Sequence, residues 1–166
     1  MEQNSQYRDN SAYCHCHHLR GNILHKRGMR NISLIILHCS GIRPGQCSSA
    51  KQIDRWHRTL GWRGIGYHYV VRRDGTVERG RPENIPGAHC RGHNNHSIGI
   101  CYEGGLDAKG HPADTRTEVQ KQVLRLLVQE LKARYPKAMV LGHHDLNRYK
   151  ACPCFDAKEE YGNGER

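Results

Sequence analysis

The segment ISLIILH, residues 32–38, indicates the fold class of the chain. The apolar and β-branched side chains from Ile32 to Leu37 form a short run, as in a strand that is buried on both faces of a sheet. Such strands are typical of α/β proteins, where helices cover the sheet. His38 follows at the carboxyl end of the strand, the edge where α/β proteins commonly place their sites. The segment therefore predicts an α/β domain with His38 as a candidate site residue.

Helical periodicity predicts two helices that pack on this sheet. The first follows the capping residues Ser48 and Ser49 and ends near Gly61. The second follows a capping-box pattern formed by Thr115 and Glu118. The residues expected to face the core recur three and four positions apart. They are Ile53, Trp56, His57 and Leu60 in the first helix, and Val119, Val123, Leu126, Leu127 and Leu131 in the second.

Further strands are predicted from short β-prone segments at residues 67–71, 76–78, 98–102 and 137–141. The first two are joined through Asp74 and Gly75, a strong hairpin signal. A last helix is expected within residues 155–161. Together these elements predict a single α/β domain in which helices flank a mixed central sheet.

Length and charge restrict the class of protein. The 166 residues suit one compact domain, and 26 basic against 16 acidic residues give a formal net charge of +10. This charge favours anionic partners such as nucleic acid, anionic lipid or an anionic cell wall, although a solvated basic face explains it equally well. The basic residues are scattered and lack a recognition helix, a zinc finger or an aromatic RNA-binding signature. Specific nucleic-acid binding is therefore not expected.

No apolar stretch of the sequence is long enough to cross a membrane, so no membrane span is expected. The N-terminus is acidic and polar where an export signal would have a basic start and an apolar run, so no export signal is expected either. We therefore expect a protein made in the cytoplasm, which something else must release if it acts outside. Residues 1–28 are polar and lack hydrophobic periodicity, so a flexible extension is expected there. The functional domain is expected at residues 29–161, followed by a short tail at residues 162–166.

Cysteine and histidine together point to a metal site. The eight cysteines lack the regular spacing of a disulfide framework, so most are expected to be reduced thiols. Thirteen histidines accompany them, and zinc prefers thiolate and imidazole ligands. The Cys/His cluster at residues 14–18 is too crowded for all its ligands to reach one tetrahedral ion, which favours adventitious binding there.

Three residues form the leading candidate for a metal site. His143 lies just beyond the strand predicted at residues 137–141, much as His38 follows the first strand. Cys152 comes after a loop long enough to turn back towards the same ion. Two imidazoles and one thiolate leave the fourth tetrahedral position for water, as in a catalytic zinc site. Each residue alone also has an ordinary explanation, as a surface or core histidine or as a small buried thiol.

Four segments carry a resemblance to a known family: ILHCS (36–40), IDRWHRTLGWRGIGYHYVVRRDGTVERGR (53–81), HNNHSIGICYEGG (93–105) and GHHDLNRYKACPCFD (142–156). They resemble, in order, phage lysozymes of the N-acetylmuramoyl-L-alanine amidase type, within the peptidoglycan recognition protein superfamily. The resemblance implies a zinc site in a surface cleft. It also implies hydrolysis of the amide bond between N-acetylmuramic acid and L-alanine in peptidoglycan.

The resemblance further implies a role for individual residues. Tyr67, in a Gly-Tyr-His motif, matches the catalytic tyrosine of the family, and Lys150 matches its catalytic lysine. His89 matches a histidine that lines the cleft of the family, with a supporting role. The ligands of the single zinc ion correspond to His38, His143 and Cys152.

Two features depart from the family pattern. The loop between His143 and Cys152 is one residue longer than in the phage enzyme, which could shift Lys150. Cys154 stands where that enzyme has serine and could compete as the ligand. Cys152 is favoured because it follows Lys150 by two residues and precedes a proline, as in the family pattern.

The resemblance implies a monomeric phage or prophage endolysin that acts on the cell wall after release. One alternative is a non-catalytic peptidoglycan-binding protein, since many members of the superfamily lack the cysteine ligand and do not cleave. The presence of Cys152 favours catalysis. A second alternative is a regulator, because phage lysozymes of this type can also bind a phage RNA polymerase.

Overall fold

The computed structural model describes residues 30–162 of the chain. The strands in this part are β1 Leu34–Cys39, β2 Tyr69–Val71, β3 Val77–Arg79, β4 Ser97–Tyr102 and β5 Met139–Gly142. They form one sheet in the order β3-β2-β4-β1-β5. β1 pairs in parallel with β4 and β5, while β2 is parallel to β4 and antiparallel to β3. This arrangement confirms the predicted mixed sheet.

The helices flank the sheet as predicted. They are α1 Ala50–Thr59, α2 Glu118–Arg134, α3 His143–Leu146 and α4 Ala157–Tyr161, and a 3₁₀ turn covers Asn94–His96. The single turn α3 was not predicted, because the segment carries no hydrophobic period. The α/β class with helices around a mixed central sheet is confirmed.

The first strand lies at the centre of the hydrophobic core. Side chains on its two faces alternate, so Ile35 and Leu37 join the main core together with residues of α2 and α4. Leu34 and Ile36 pack on the opposite face with Cys90. All four side chains of the strand are at most 5% exposed. Burying a side chain of this size stabilises the fold by about 1.5–3 kcal/mol, so β1 anchors both layers.

Helix α2 begins two residues later than predicted. The Thr117 hydroxyl accepts the Gln120 N–H at 3.1 Å, and the Gln120 side chain accepts the Thr117 N–H at 3.0 Å. Thr115 instead accepts the backbone N–H of Gly105 at 2.8 Å. The capping box predicted at Thr115 and Glu118 is therefore wrong. Two capping patterns overlap in the sequence, and the contact with Gly105 occupies Thr115.

The buried face of α2 also differs from the predicted one. Leu127 and Leu131 are buried, whereas Val119 is 47% and Leu126 is 64% exposed. Gln120 takes a core position, because its amide donates to two backbone carbonyls at the ends of β2 and β4, each at 3.1 Å. A polar residue with both donors satisfied is stable in the interior, and apolar periodicity does not reveal it.

Helix α1 covers the other face of the sheet. Ile53 packs in a second core cluster with Val70 and Cys101. The prediction that Trp56 and Leu60 also face the core is wrong, since these side chains are 55% and 51% exposed. Capping by Ser49 is confirmed, through a capping box with the side chain of residue 52. The hairpin predicted from the strands at residues 67–71 and 76–78 is confirmed, although its first strand begins at Tyr69 and not at residue 67.

Parts of the predicted organisation lie outside the described residues. These are the extension at residues 1–28 with its cluster at residues 14–18, and all but the first residue of the tail at 162–166. The domain limits stay a prediction.

Within residues 30–162, all six cysteines are free thiols. Over the same residues, no helix combines the length and the apolar character that crossing a membrane would need.

The two faces of α2 can be separated by a pair of leucine substitutions. Leu131→Ala should lower the free energy of unfolding by about 2–5 kcal/mol, because Leu131 is fully buried and its truncation leaves a cavity. Leu126→Ala should change the free energy of unfolding by less than about 0.5 kcal/mol, because Leu126 is 64% exposed. Urea denaturation measures both. Equal losses would show that the assignment of the buried face is wrong.

Candidate metal centre

Three side chains meet at the carboxyl edge of the sheet. One ligand atom from each of His38, His143 and Cys152 lies within 4.8 Å of the other two. Nδ1 of His38 is 3.7 Å from Sγ of Cys152, and the two imidazole rings have centroids 4.6 Å apart. His38 is buried, whereas His143 and Cys152 are half-buried. The cluster is therefore open to solvent on one side.

Strand pairing brings the two histidines together. Leu37 of β1 is the register partner of Gly142 of β5. Because the strands are parallel, the next residues lie at the same level of the sheet edge: His38 near the end of β1 and His143 directly after β5. His143 is also the first residue of α3, and the carboxylate of Asp145 accepts the backbone N–H of Gly142 at 2.7 Å. The start of this turn is thereby fixed beside the centre.

Backbone hydrogen bonds hold Cys152 against the strands. The backbone N–H of Cys39 donates to Sγ of Cys152 at 3.2 Å, a contact that stabilises a thiolate. The carbonyl of Cys152 accepts the backbone N–H of His144 at 2.8 Å. In the next residue, the carbonyl of Pro153 accepts the hydroxyl of Tyr102 at 2.7 Å. The loop is thus attached to β1, α3 and β4 around the cysteine.

The donor set fits a zinc ion. Zinc prefers imidazole and thiolate, and tetrahedral bonds of about 2.0–2.3 Å put the ligand atoms roughly 3.3–3.6 Å apart. The distance of 3.7 Å between Nδ1 of His38 and Sγ of Cys152 is close to this value. Burial lowers the pKa of His38 well below its usual value. Burial, followed by the charge of Lys150, also lowers the pKa of His143, so both imidazoles are neutral and able to bind metal.

His89 lies directly behind His38. Its Nδ1 is 3.0 Å from Nε2 of His38, and its side chain is only 8% exposed. The sequence suggested a residue that lines a substrate cleft, whereas here the ring is enclosed against His38. Burial is the main reason that the pKa of His89 falls well below its usual value, which keeps this ring neutral too.

Tyr67 lies beside the cluster. Its ring centroid is 5.2 Å from that of His38, and the side chain is half-buried. Burial is the largest effect that raises the pKa of Tyr67 well above its usual value, so the hydroxyl keeps its proton at neutral pH. A neutral phenol can both donate and accept a hydrogen bond.

Lys150 projects from the exposed loop between α3 and Cys152. Its backbone N–H donates to the carbonyl of Asn147 at 3.0 Å, which shapes the turn. The ammonium is close enough to His143 to lower the pKa of that imidazole, after the larger effect of burial. The charge of Lys150 therefore lies near the cluster.

Cys154 is directed to a different partner. Its Sγ lies 3.9 Å from Sγ of Cys39 and 3.3 Å from the carbonyl oxygen of Gly105. The group of mutually close ligand atoms contains Cys152 and not Cys154. Cys39 is half-buried and contacts both loop cysteines, Cys152 through its backbone N–H and Cys154 through its Sγ.

Two other histidines near the centre have structural contacts. His68 is 1% exposed, and its Nδ1 accepts the backbone N–H of Gly99 at 3.0 Å. Burial lowers the pKa of His68 to about 4. His144 is half-buried, and its Nε2 is 3.5 Å from Oδ1 of Asp145. Neither belongs to the group of mutually close ligand atoms.

Two polar contacts at the centre had not been predicted. Oγ of Ser97 lies 3.3 Å from Nε2 of His89, on the far side of the imidazole from His38. The backbone N–H of Cys39 is the second contact, described above with Cys152. Neither has a local sequence signal, because each depends on how separate parts of the chain fold together.

A cavity of about 320 Å³ begins beside the cluster at Tyr67. It lies between α1 and the loop that follows β1, and its walls are mainly apolar. Its lining consists of Ser40, Gly41, Ile42, Cys47, Ser48, Gln52, Ile53, Trp56 and Tyr67. The cavity has the concave, largely apolar form of a ligand site with a few polar groups.

Comparisons with known proteins agree with this arrangement. Residues 28–155 match the family described as N-acetylmuramoyl-L-alanine amidase. The endolysin of Klebsiella phage KP32 is 44% identical over 133 residues, 80% of this chain and 87% of that protein. The endolysin of Escherichia phage T7 is 43% identical over 131 residues, 79% of this chain and 86% of that protein. The structure of N-acetylmuramoyl-L-alanine amidase LysC from Clostridium intestinale URNW superposes with a TM-score of 0.68 at 32% identity, covering 79% of this chain and 82% of LysC.

The two cysteines of the loop should differ in their effect on zinc binding. Cys152→Ser should weaken zinc affinity by more than about 100-fold. Substituting a residue that only supports a ligand already weakens metal affinity by about 10- to 100-fold, and Cys152 is itself a candidate ligand. Cys154→Ser should leave the affinity nearly unchanged, because Sγ of Cys154 faces Cys39. Competition with a chromophoric chelator measures both. A larger loss with Cys154→Ser would assign the ligand to Cys154.

Proposed function

The chain belongs to the N-acetylmuramoyl-L-alanine amidase family, and from this premise we propose that it is a zinc-dependent hydrolase of peptidoglycan. The bond cleaved is the amide between N-acetylmuramic acid and L-alanine. The observation that carries the proposal is the meeting of His38, His143 and Cys152 beside an open cavity. The similarity to phage endolysins supports the same role in a phage or prophage.

The three ligands would hold one zinc ion and leave one position open. A bound zinc ion polarises the amide carbonyl and lowers the pKa of a water molecule from about 15.7 towards about 7. Neutral imidazoles at His38 and His143 and a thiolate at Cys152 supply the required donors. The backbone N–H of Cys39 stabilises the charge on that sulfur, at 3.2 Å.

Lys150 is assigned to the charge that develops on the carbonyl oxygen. Its ammonium lies on the exposed side of the centre, near His143. An ammonium fixed beside a developing oxyanion stabilises the transition state more than the ground state. Lys150 thereby contributes to the rate of cleavage and little to the affinity for zinc.

Tyr67 is assigned to orienting the water or transferring a proton. Its ring lies beside that of His38, and its side chain also lines the cavity. Because the pKa of Tyr67 is raised, the phenol acts as a neutral hydrogen-bonding group and not as a phenolate. The cavity next to it is assigned to the part of the substrate that flanks the scissile amide.

The charge of the chain agrees with this substrate. A net charge of +10 favours association with an anionic cell wall. Action on the wall after release from the cytoplasm belongs to the same proposal. The monomeric state and binding to a phage RNA polymerase stay predictions of the sequence.

Peptidoglycan digestion tests the proposed reaction. Purified protein should release peptides that begin with free L-alanine and should leave the glycan strands intact, as identified by mass spectrometry. A chelator should abolish the release, and added zinc should restore it. If several types of peptidoglycan stay uncut although each chain binds one zinc ion, the chain is a peptidoglycan-binding protein and the proposal is wrong.

Substitutions at the two assigned groups should separate catalysis from metal binding. Lys150→Ala should lower kcat by about 100- to 1000-fold at unchanged zinc content, because it removes a donor to the oxyanion. Tyr67→Phe should lower kcat by about 100-fold or more, because it removes only the hydroxyl. Lys158→Ala, at an exposed lysine of α4, serves as the control and should retain full activity. Unchanged kcat in Lys150→Ala would remove Lys150 from the mechanism.

A further inference from the structure

A continuous chain of polar contacts runs from His38 into the protein interior. Nε2 of His38 is 3.0 Å from Nδ1 of His89, and Nε2 of His89 is 3.3 Å from Oγ of Ser97. The hydroxyl of Ser97 donates to the carbonyl of His93 at 2.8 Å. His38, His89 and Ser97 are 1%, 8% and 0% exposed, so water has little access to these contacts.

Two glycines make room for the ring of His89, the middle residue in this series of contacts. A Cβ placed on Gly87 would lie 2.4 Å from the His89 ring, and one on Gly99 would lie 2.5 Å from it. The backbone of His89 is fixed as well, because its N–H donates to Oδ1 of Asn94 at 2.8 Å. The ring is therefore held in one position by its surroundings, and that position places Nδ1 against His38.

The chain of contacts has a single consistent direction. The carbonyl of His93 can only accept, so the hydroxyl hydrogen of Ser97 points to it and Oγ accepts from Nε2 of His89. A neutral His89 with its hydrogen on Nε2 must accept at Nδ1. His38 then carries its hydrogen on Nε2 and has a free lone pair on Nδ1. That atom is the one 3.7 Å from Sγ of Cys152.

We propose that His89 and Ser97 are positioning residues that hold His38 in the tautomer and ring orientation needed to bind the metal through Nδ1. The inference rests on the proposed zinc site and adds two residues that act through His38 without touching the ion. A histidine ligand whose second nitrogen donates to a fixed acceptor is a better and more rigid donor. Here the acceptor is an imidazole whose own tautomer depends on a serine and a backbone carbonyl.

Two substitutions at residue 89 form a matched test. The amide oxygen of asparagine can take the place of Nδ1, so His89→Asn keeps an acceptor for His38. His89→Gln puts its amide near the place of Nε2, which preserves contact with Ser97 but leaves His38 without its acceptor. Zinc affinity should stay within about 3-fold of the original in His89→Asn, and it should fall by about 10- to 100-fold in His89→Gln.

A serine substitution tests the far end of this series of polar contacts with little disturbance of packing. Ser97→Ala removes one hydroxyl and should weaken zinc affinity by about 10-fold, because His89 loses the partner that fixes its tautomer. Ser48→Ala is the control, because Ser48 is also buried. Its hydroxyl donates to Ser40 at 2.8 Å and takes no part in the contacts of His38, His89 and Ser97. Its zinc affinity should not change.

The measurements are zinc competition with a chelator and the absorption spectrum of the cobalt-substituted protein. The spectrum reports ligand geometry, so it should change in His89→Gln and Ser97→Ala and stay constant in Ser48→Ala. Unchanged affinity and spectrum in Ser97→Ala, or equal affinities of the two His89 variants, would overturn the inference. Failure of the unsubstituted protein to bind zinc would instead refute the proposed zinc dependence, so the two failures are distinguishable.

Discussion

The parallel pairing of β1 with its two neighbours is the constraint on which the rest of the structure depends. Side chains on both faces of β1 are buried, so a one-residue slip against β4 and β5 would send every side chain to the opposite layer and disrupt its packing. That register places His38 and His143 at the same level of the sheet edge. Rigid strands thus set the distance between two candidate ligands that lie 105 positions apart in the sequence, and the loop supplies the third, Cys152.

Around this frame, several buried polar side chains are satisfied by hydrogen bonds to the protein. Gln120 donates to two backbone carbonyls in the core, and the carboxylate of Glu103 accepts the backbone N–H groups of Ser48 and Arg73 at 2.7 and 2.9 Å. His89 belongs to the same class of contacts, because it has partners on both ring nitrogens. Such satisfaction is what makes a polar interior stable. At the candidate metal centre, the same requirement is the basis for the tautomer that we propose for His38.

The centre combines a rigid side with an accessible one. His38 is supported from behind by buried residues, whereas His143, Cys152 and Lys150 lie towards solvent. A metal site of this kind can keep fixed ligands while a large polymeric substrate approaches from outside. The neighbouring cavity adds a largely apolar wall to the same opening. Support by the interior and access from the surface together suit the hydrolysis of an extended cell-wall polymer.

The sequence by itself determined the α/β class, the central strand and both long helices, because apolar runs and helical periods are local signals. It also indicated the candidate ligands, through the positions of histidine and cysteine together with a family resemblance. It did not determine which of two overlapping capping patterns starts α2, or that Leu126 faces solvent while Gln120 is buried. The direction of Cys154 and the position of Ser97 behind His89 were likewise decided only by the tertiary structure. These features arise from contacts between segments that are distant in the chain, and no local pattern encodes such contacts.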